Sequence, residues 1–283
     1  MTLRILAVHG IWNHRPHLTR TEAEQDITTT WRAALPASLH TTAGDIDLAA
    51  AYYAPDLNVP TPQALDDGLD HLPDDAHHWL LAWAEQLDAL PADTPQAAWS
   101  IPARAIADRI ADNAHLNKLL VRPVVNTFLT EVRAYFHPHS TARQTAQRVV
   151  ANAIRNHQPD IILAHSLGSV VTYEALHIHT DLHTDLLVTL GSPLALAHVI
   201  FDRLQPPPRN GHGASPPGVA TWINIADPGD IIAIPRPFTR RFTPDHNWDD
   251  THIHWLDFHT AARYLASPRT TKAITDYLGN RRN

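Results

Sequence analysis

The 283-residue chain contains no cysteine. That excludes disulfides, thiolate metal sites and a cysteine nucleophile, although it does not fix the compartment. Lysine is nearly absent, Lys118 and Lys272 being the only two, and the net charge is -7. Such a chain has no basic footprint for a phosphate backbone, so nucleic acid is not an expected partner. No apolar run approaches the roughly 18 residues of a membrane span. The N-terminal residues Met1-Thr2-Leu3-Arg4 pass straight into a strand-like pattern. The basic stretch and longer apolar segment of a signal peptide are missing, and the expectation is a cytoplasmic protein. The 21 histidines include the pairs His77-His78, His137-x-His139, His177-x-His179 and His252-x-His254. None forms the H-E-x-x-H helix signature, and two histidines two apart on a helix point to different sides. Neither a metal nor a cofactor is expected.

What is present is ample core material, with 44% hydrophobic and 18% charged residues. This length and composition suit one large α/β domain with a cap or two small domains, and a single domain over residues 1–283 is the expectation. Strand patterns fall at 3–8, 45–53, 161–165, 186–190 and 219–225, with helical periodicity at 21–35, 141–157, 194–204 and 261–278, the last interrupted at Pro268. Residues 205–218 are rich in proline and glycine and read as a loop, 236–251 as irregular, and 251–255 as a short strand. Between residues 60 and 138 the pattern becomes helical, in pieces around 62–72, 76–90, 102–120 and 124–136 that carry Trp79, Trp83 and Trp99. Strands alternating with helices predict a mainly parallel, doubly wound sheet, with residues 60–138 as a helical cap inserted in it.

The densest signal is Ala164-His165-Ser166-Leu167-Gly168, which joins the apolar run Ile161-Ile162-Leu163 to a buried helical pattern beginning at Val170. A serine flanked at two positions either side by small residues, on a tight strand-to-helix turn, is the pattern of a nucleophile elbow. The competing reading is an ordinary turn with a serine N-cap. A serine nucleophile needs a base, and the base needs an orienting acid. Asp227 and Asp230 both follow the strand pattern at 219–225. Asp230 is the first choice because Ile231-Ile232-Ala233 can pin it from behind, while Asp227 before Pro228 suits a turn. His246, His252, His254 and His259 are the later histidines; His259 stands at the mouth of the last helix, where a loop gives a base reach. Acyl transfer also needs two backbone donors for the developing oxyanion. Leu167 follows the nucleophile, and Ile11 lies in the loop His9-Gly10-Ile11-Trp12 after the first strand, where Gly10 permits close approach. Pro193 has no N–H, so Gly191-Ser192-Pro193 reads as pocket floor and not as a donor. His165 is expected to point away from the serine and pack structurally.

Taken together, Val8-His9-Gly10-Ile11, Ala164-His165-Ser166-Leu167-Gly168, Leu190-Gly191-Ser192-Pro193-Leu194, Asp227-Pro228-Gly229-Asp230-Ile231-Ile232-Ala233 and His259 with Tyr264-Leu265 resemble the α/β-hydrolase superfamily, specifically its lipase- and esterase-like bacterial serine hydrolases. The resemblance implies a Ser166–His259–Asp230 triad and an oxyanion hole from the Ile11 and Leu167 amides. It implies hydrolysis of a carboxylic ester or related acyl bond, with a small-molecule or acyl or peptidyl substrate. Ala164 in place of glycine is a mild departure. A loop that begins already at residue 9 implies a sheet shortened at its N-terminal edge. An acyl or peptidyl transferase, thioesterase or peptidase on the same triad, and a non-catalytic binding module on the same fold, remain the alternatives.

Overall fold

The computed structural model describes residues 2–37, 39, 45–57, 68–90, 100–253 and 259–281. Its centre is a six-stranded, all-parallel sheet. The strands are β1 (Leu3–Val8), β2 (Ile46–Ala51), β3 (Ile161–His165), β4 (Thr184–Leu190), β5 (Val219–Ile225) and β6 (His246–Trp248), in the order β2-β1-β3-β4-β5-β6. A parallel strand covered on both faces is apolar throughout, as the fully buried Ile161-Ile162-Leu163-Ala164 run of β3 is. Alternation then divides β1 between two cores. Leu3, Ile5 and Ala7 pack with helix α1 (Arg20–Ala34) on one face, while Leu6 and Val8 belong to the core on the other. The first face is completed by α7 (Ala261–Leu265) and α8 (Pro268–Asn280), which supply Tyr264, Leu265, Ala273 and Ile274. The second carries α5 (Ala142–His157) and α6 (Leu167–Ile178).

Sheet order reverses at β1. The chain leaves it for β2 on one side and returns to β3 on the other, so the connections after β1 and β3 start side by side at the carboxyl ends of neighbouring strands. Open α/β sheets bind their ligands at this point. His9 follows β1 there, and Ser166 follows β3.

The segment between β2 and α5 contributes α2 (Asp74–Gln86), α3 (Ala103–Asn113) and α4 (Lys118–Phe136). The helix expected over 102–120 is interrupted, with a turn at 114–117 in which His115 adopts a positive φ of 55°. The piece expected at 62–72 is represented by a short 3-10 turn, Leu69–His71; its beginning and Trp99 lie outside the described residues. These helices do more than cover the sheet. Their apolar side chains are continuous with the core of α5 and α6. Trp83 is fully buried, lies 5.0 Å from the Phe128 ring, and donates its indole N–H to the Ile231 carbonyl at 2.7 Å. Trp83→Ala is therefore expected to lower unfolding stability by about 3–5 kcal/mol, because it opens a cavity and strands a buried carbonyl. Urea unfolding measures this; a change below about 1 kcal/mol would mean the insertion is a detachable cover.

Three other expectations are corrected. Residues 194–204 are turns that close in a 3-10 turn, Phe201–Arg203, and not a helix. His198 has a φ of 62°, and the Gln86 side chain donates to the Ala197 carbonyl and accepts its N–H, at 2.9 and 3.0 Å, drawing that backbone away from helical pairing. The stretch read as irregular contains the edge strand β6, three residues paired with Ile223, Asn224 and Ile225 and too short for a periodicity signal. Residues 251–253 form no strand, while His254 and Trp255 lie outside the described residues. No helix among the described residues is long and apolar enough to cross a membrane.

Candidate active site

β3 hands over to α6 through Ser166, whose backbone sits at φ 52°, ψ -129°. This is a strained conformation for a residue with a Cβ. It holds because the surroundings over-determine it. The Ser166 N–H donates to the Leu190 carbonyl at 3.0 Å, and its carbonyl accepts the Ser169 N–H at 2.9 Å. Gly168 must be glycine, since a Cβ there would lie 2.3 Å from the His9 carbonyl oxygen and 2.5 Å from that of Val8. Gly10 is equally constrained, because its Cβ would meet the Ser166 Cβ at 2.4 Å. Ala164 needs no such freedom, being an ordinary strand residue paired with Val8 and Thr189.

His259 and Asp230 converge on this serine. His259 Nε2 lies 2.7 Å from Ser166 Oγ, and His259 Nδ1 lies 2.7 Å from Asp230 Oδ2. All three side chains are buried. The proton positions follow from the donors available. Asp230 Oδ1 accepts the N–H groups of Ile232 and Ala233 at 2.9 and 3.4 Å. Oδ2 accepts the Tyr264 hydroxyl at 2.7 Å, and that hydroxyl already receives the Asp227 N–H at 3.0 Å. A carboxylate can only accept, so Nδ1 of the imidazole carries its proton and Nε2 is left to accept from the serine hydroxyl. Burial and the Asp230 charge push the Tyr264 phenol well above its ordinary range, which keeps it a donor.

Of the two aspartates, Asp230 reaches His259 and Asp227 does not. Asp227 accepts the N–H groups of Gly229 and Ile253, closing the turn and holding the backbone at Ile253. The Arg236 guanidinium braces the same turn through the carbonyls of Asp227, Asp230 and Ala233. The sequence Gly191-Ser192-Pro193, expected as pocket floor, is packed against the acid. Gly191 has φ 55°, and a Cβ on it would lie 2.9 Å from Asp230 Oδ2 and 2.8 Å from the Tyr264 ring, while Ser192 Oγ is 2.7 Å from Ser169 Oγ. His165 does not turn away from the site. Its ring centroid is 4.8 Å from that of His259, and burial followed by the neighbouring His259 holds it neutral.

The loop after β1 is locked bond by bond. The Tyr53 N–H donates to His9 Nε2 at 3.2 Å, which leaves Nδ1 to donate to the Gly10 carbonyl at 2.9 Å. The Asn13 amide donates to the carbonyls of Gly10 and Ile11 at 3.1 and 2.8 Å. The Gly10 carbonyl and the Ile11 N–H share one trans peptide, so fixing the oxygen fixes the opposite direction for the N–H. Leu167 is the first residue of α6, where backbone N–H groups have no partner within the helix. The loop after β1 thus packs against Ser166 through Gly10, and negative charge at Ser166 faces the favourable end of α6.

Sequence reasoning missed Tyr264 as a partner of the acid and missed Glu131 altogether. Tyr264 stands five residues after His259, one turn into the last helical pattern, close enough to have been considered. Glu131 is the one acid on the buried face of α4, among Val124, Phe128, Val132 and Tyr135. An acid on an apolar face is a signal in itself.

Burial sets the acid sensitivity of this region. It lowers His9 to about 4, His165 well below its ordinary 6.5, and the half-buried His177 to about 4. Below about 6.5 the unfolded chain takes up protons that these folded side chains refuse, so stability falls as pH drops from 6.5 toward 4. Glu131 has the opposite sign. Burial raises it to about 7 from 4.5, so its contribution is full below 4.5 and lost as pH rises to 7. Three histidines outweigh one carboxyl, and the urea midpoint is expected to be lower at pH 5 than at pH 7. A flat or rising midpoint would show that the histidines do not stay neutral.

Among the described residues no group of three or more His, Asp or Glu side chains is placed to hold a metal. No family model, no curated protein and no solved structure matches the chain.

Proposed function

We propose that the protein is a serine hydrolase of the α/β-hydrolase type that cleaves a carboxylic ester or related acyl bond through an acyl-enzyme. The observation that carries this reading is the contact chain Asp230–His259–Ser166, with 2.7 Å at each step. Ser166 Oγ attacks the acyl carbon as His259 Nε2 takes its proton. Asp230 keeps the imidazole in the required tautomer and stabilises its charged form. The negative charge on the carbonyl oxygen is received by the Ile11 and Leu167 amides, a contribution of roughly 3–4 kcal/mol per donor. His259 then protonates the leaving group, and the same base activates water to release the acid and regenerate Ser166. His9, Gly10 and Trp12 shape the loop that presents Ile11.

The test is labelling of the full chain with a fluorophosphonate, which forms a bond only with an activated serine, followed by mass spectrometry of the labelled peptide. Labelling at Ser166 that vanishes in Ser166→Ala supports the proposal. Well-folded protein that takes no label and hydrolyses no p-nitrophenyl ester would favour a binding module on the same fold.

A further inference from the structure

The loop that presents Ile11 is held from one side by its own neighbours and from the other by the helical insertion. Trp12, the residue after Ile11, has a φ of 65°. A bulky side chain seldom adopts this left-handed conformation. Packing of the indole does not explain it, because Trp12 is 49% exposed. Its backbone N–H donates to Glu131 Oε1 at 2.9 Å, a residue of α4 and 119 positions away in sequence. Glu131 itself is buried. The two peptides flanking Ile11 therefore share Asn13 and differ in their second partner. The Gly10–Ile11 peptide is held at its oxygen by His9 and Asn13. The Ile11–Trp12 peptide is held at its oxygen by Asn13 and at its nitrogen by Glu131.

We propose that Glu131 is a positioning residue for the oxyanion loop: by capturing the Trp12 N–H it fixes the Ile11–Trp12 peptide, and so keeps in place the loop whose Ile11 N–H is directed by the bonds of His9 and Asn13 to the Gly10 carbonyl. This rests on the serine-hydrolase reading and extends it. The chemistry of the position agrees. A carboxylate close to a developing oxyanion would oppose it, but burial raises Glu131 to about 7, so the group is substantially protonated near neutrality and still accepts through its carbonyl oxygen. Glutamine is the permanent neutral mimic of that form.

Steady-state hydrolysis of p-nitrophenyl butyrate by the full chain tests the proposal. Glu131→Leu is expected to lower kcat roughly 100-fold, the lower end of the loss for one oxyanion donor. KM should change by less than about threefold, because a misdirected donor is missed in the transition state and not in the bound ester. Glu131→Gln, whose amide oxygen still accepts the Trp12 N–H, is expected to recover kcat to within about fivefold of wild type. A folded Glu131→Leu with wild-type kcat overturns the proposal, as does a Glu131→Gln as impaired as Glu131→Leu, or a loss confined to KM. If Glu131→Leu gives no cooperative melt, Glu131→Met, which keeps the length of the side chain but offers no oxygen to the Trp12 N–H, takes its place with the same expected loss of kcat, and wild-type kcat in it also overturns the proposal. The two levels separate cleanly: wild-type protein with neither label at Ser166 nor esterase activity removes the underlying function, whereas an active wild type with unaffected variants removes only the role of Glu131.

Discussion

Ser166→Ala is expected to lower kcat by about 10⁴–10⁶-fold, His259→Ala by a comparable factor, and the double variant by no more than the larger of the two. The reason is that the two side chains act in one proton movement. Without Oγ there is no nucleophile for His259 to activate, and without Nε2 the hydroxyl keeps its proton at neutral pH. Additive losses would mean that serine and histidine serve separate steps. Folding should survive in Ser166→Ala, since alanine keeps the Cβ that the elbow already accommodates, and the bonds holding the turn run through the backbone of Ser166 to Leu190 and Ser169. The residual rate of that variant is informative too. It reports what the Ile11 and Leu167 amides contribute without a covalent step, roughly 10³-fold over water in comparable sites. Measuring kcat with p-nitrophenyl butyrate, alongside circular dichroism of each variant, separates loss of chemistry from loss of fold.

The meeting of Ser166, Asp230 and His259 was legible because each depends on short-range features. The apolar run Ile161-Ile162-Leu163 announces a buried strand, and the small residues around Ser166 announce a turn that another backbone must pass. The apolar stretch Ile231-Ile232-Ala233 marks out Asp230 in the sequence, and the Ile232 and Ala233 amides grip its Oδ1. What escaped the sequence depends on contacts between distant segments. Gln86 pairs with the backbone of Ala197 across 111 positions, a tertiary bond that displaces a helix which Leu194, Leu196 and Val199 would otherwise suggest. Aromatic content in the insertion does not by itself separate a cover from a core; the burial of Trp79 and Trp83 and the Trp83 bond to Ile231, next to the acid, place these two in the core. Tyr264 and Glu131 share this character. Both are polar groups placed by a helix whose periodicity was readable, acting on backbone or carboxyl groups whose location was not.

Asp230→Asn should cost about 10⁴-fold in kcat with little change in KM, and the cause is an inversion of proton direction. The amide must present an oxygen to the Ile232 and Ala233 N–H groups, which leaves its NH₂ where Oδ2 now sits. That NH₂ faces His259 Nδ1 and the Tyr264 hydroxyl. As a donor it selects the imidazole tautomer with the proton on Nε2, so the atom that should accept from Ser166 now carries a hydrogen of its own. Tyr264 offers no escape: its oxygen can accept the second amide hydrogen beside the Asp227 N–H, but its own proton has then lost the acceptor that Oδ2 supplied. The adjacent carboxylate supplies the control. Asp227→Asn disturbs the bonds to Gly229 and Ile253, so it is expected to loosen the turn and lower stability while reducing kcat less than about tenfold, since neither of its oxygens bonds His259. A wide ratio between the two variants identifies Asp230 as the group that orients the base. Equal losses would mean that the turn as a whole positions His259, and that the 2.7 Å contact between Asp230 and the imidazole is a consequence of the turn and not its purpose.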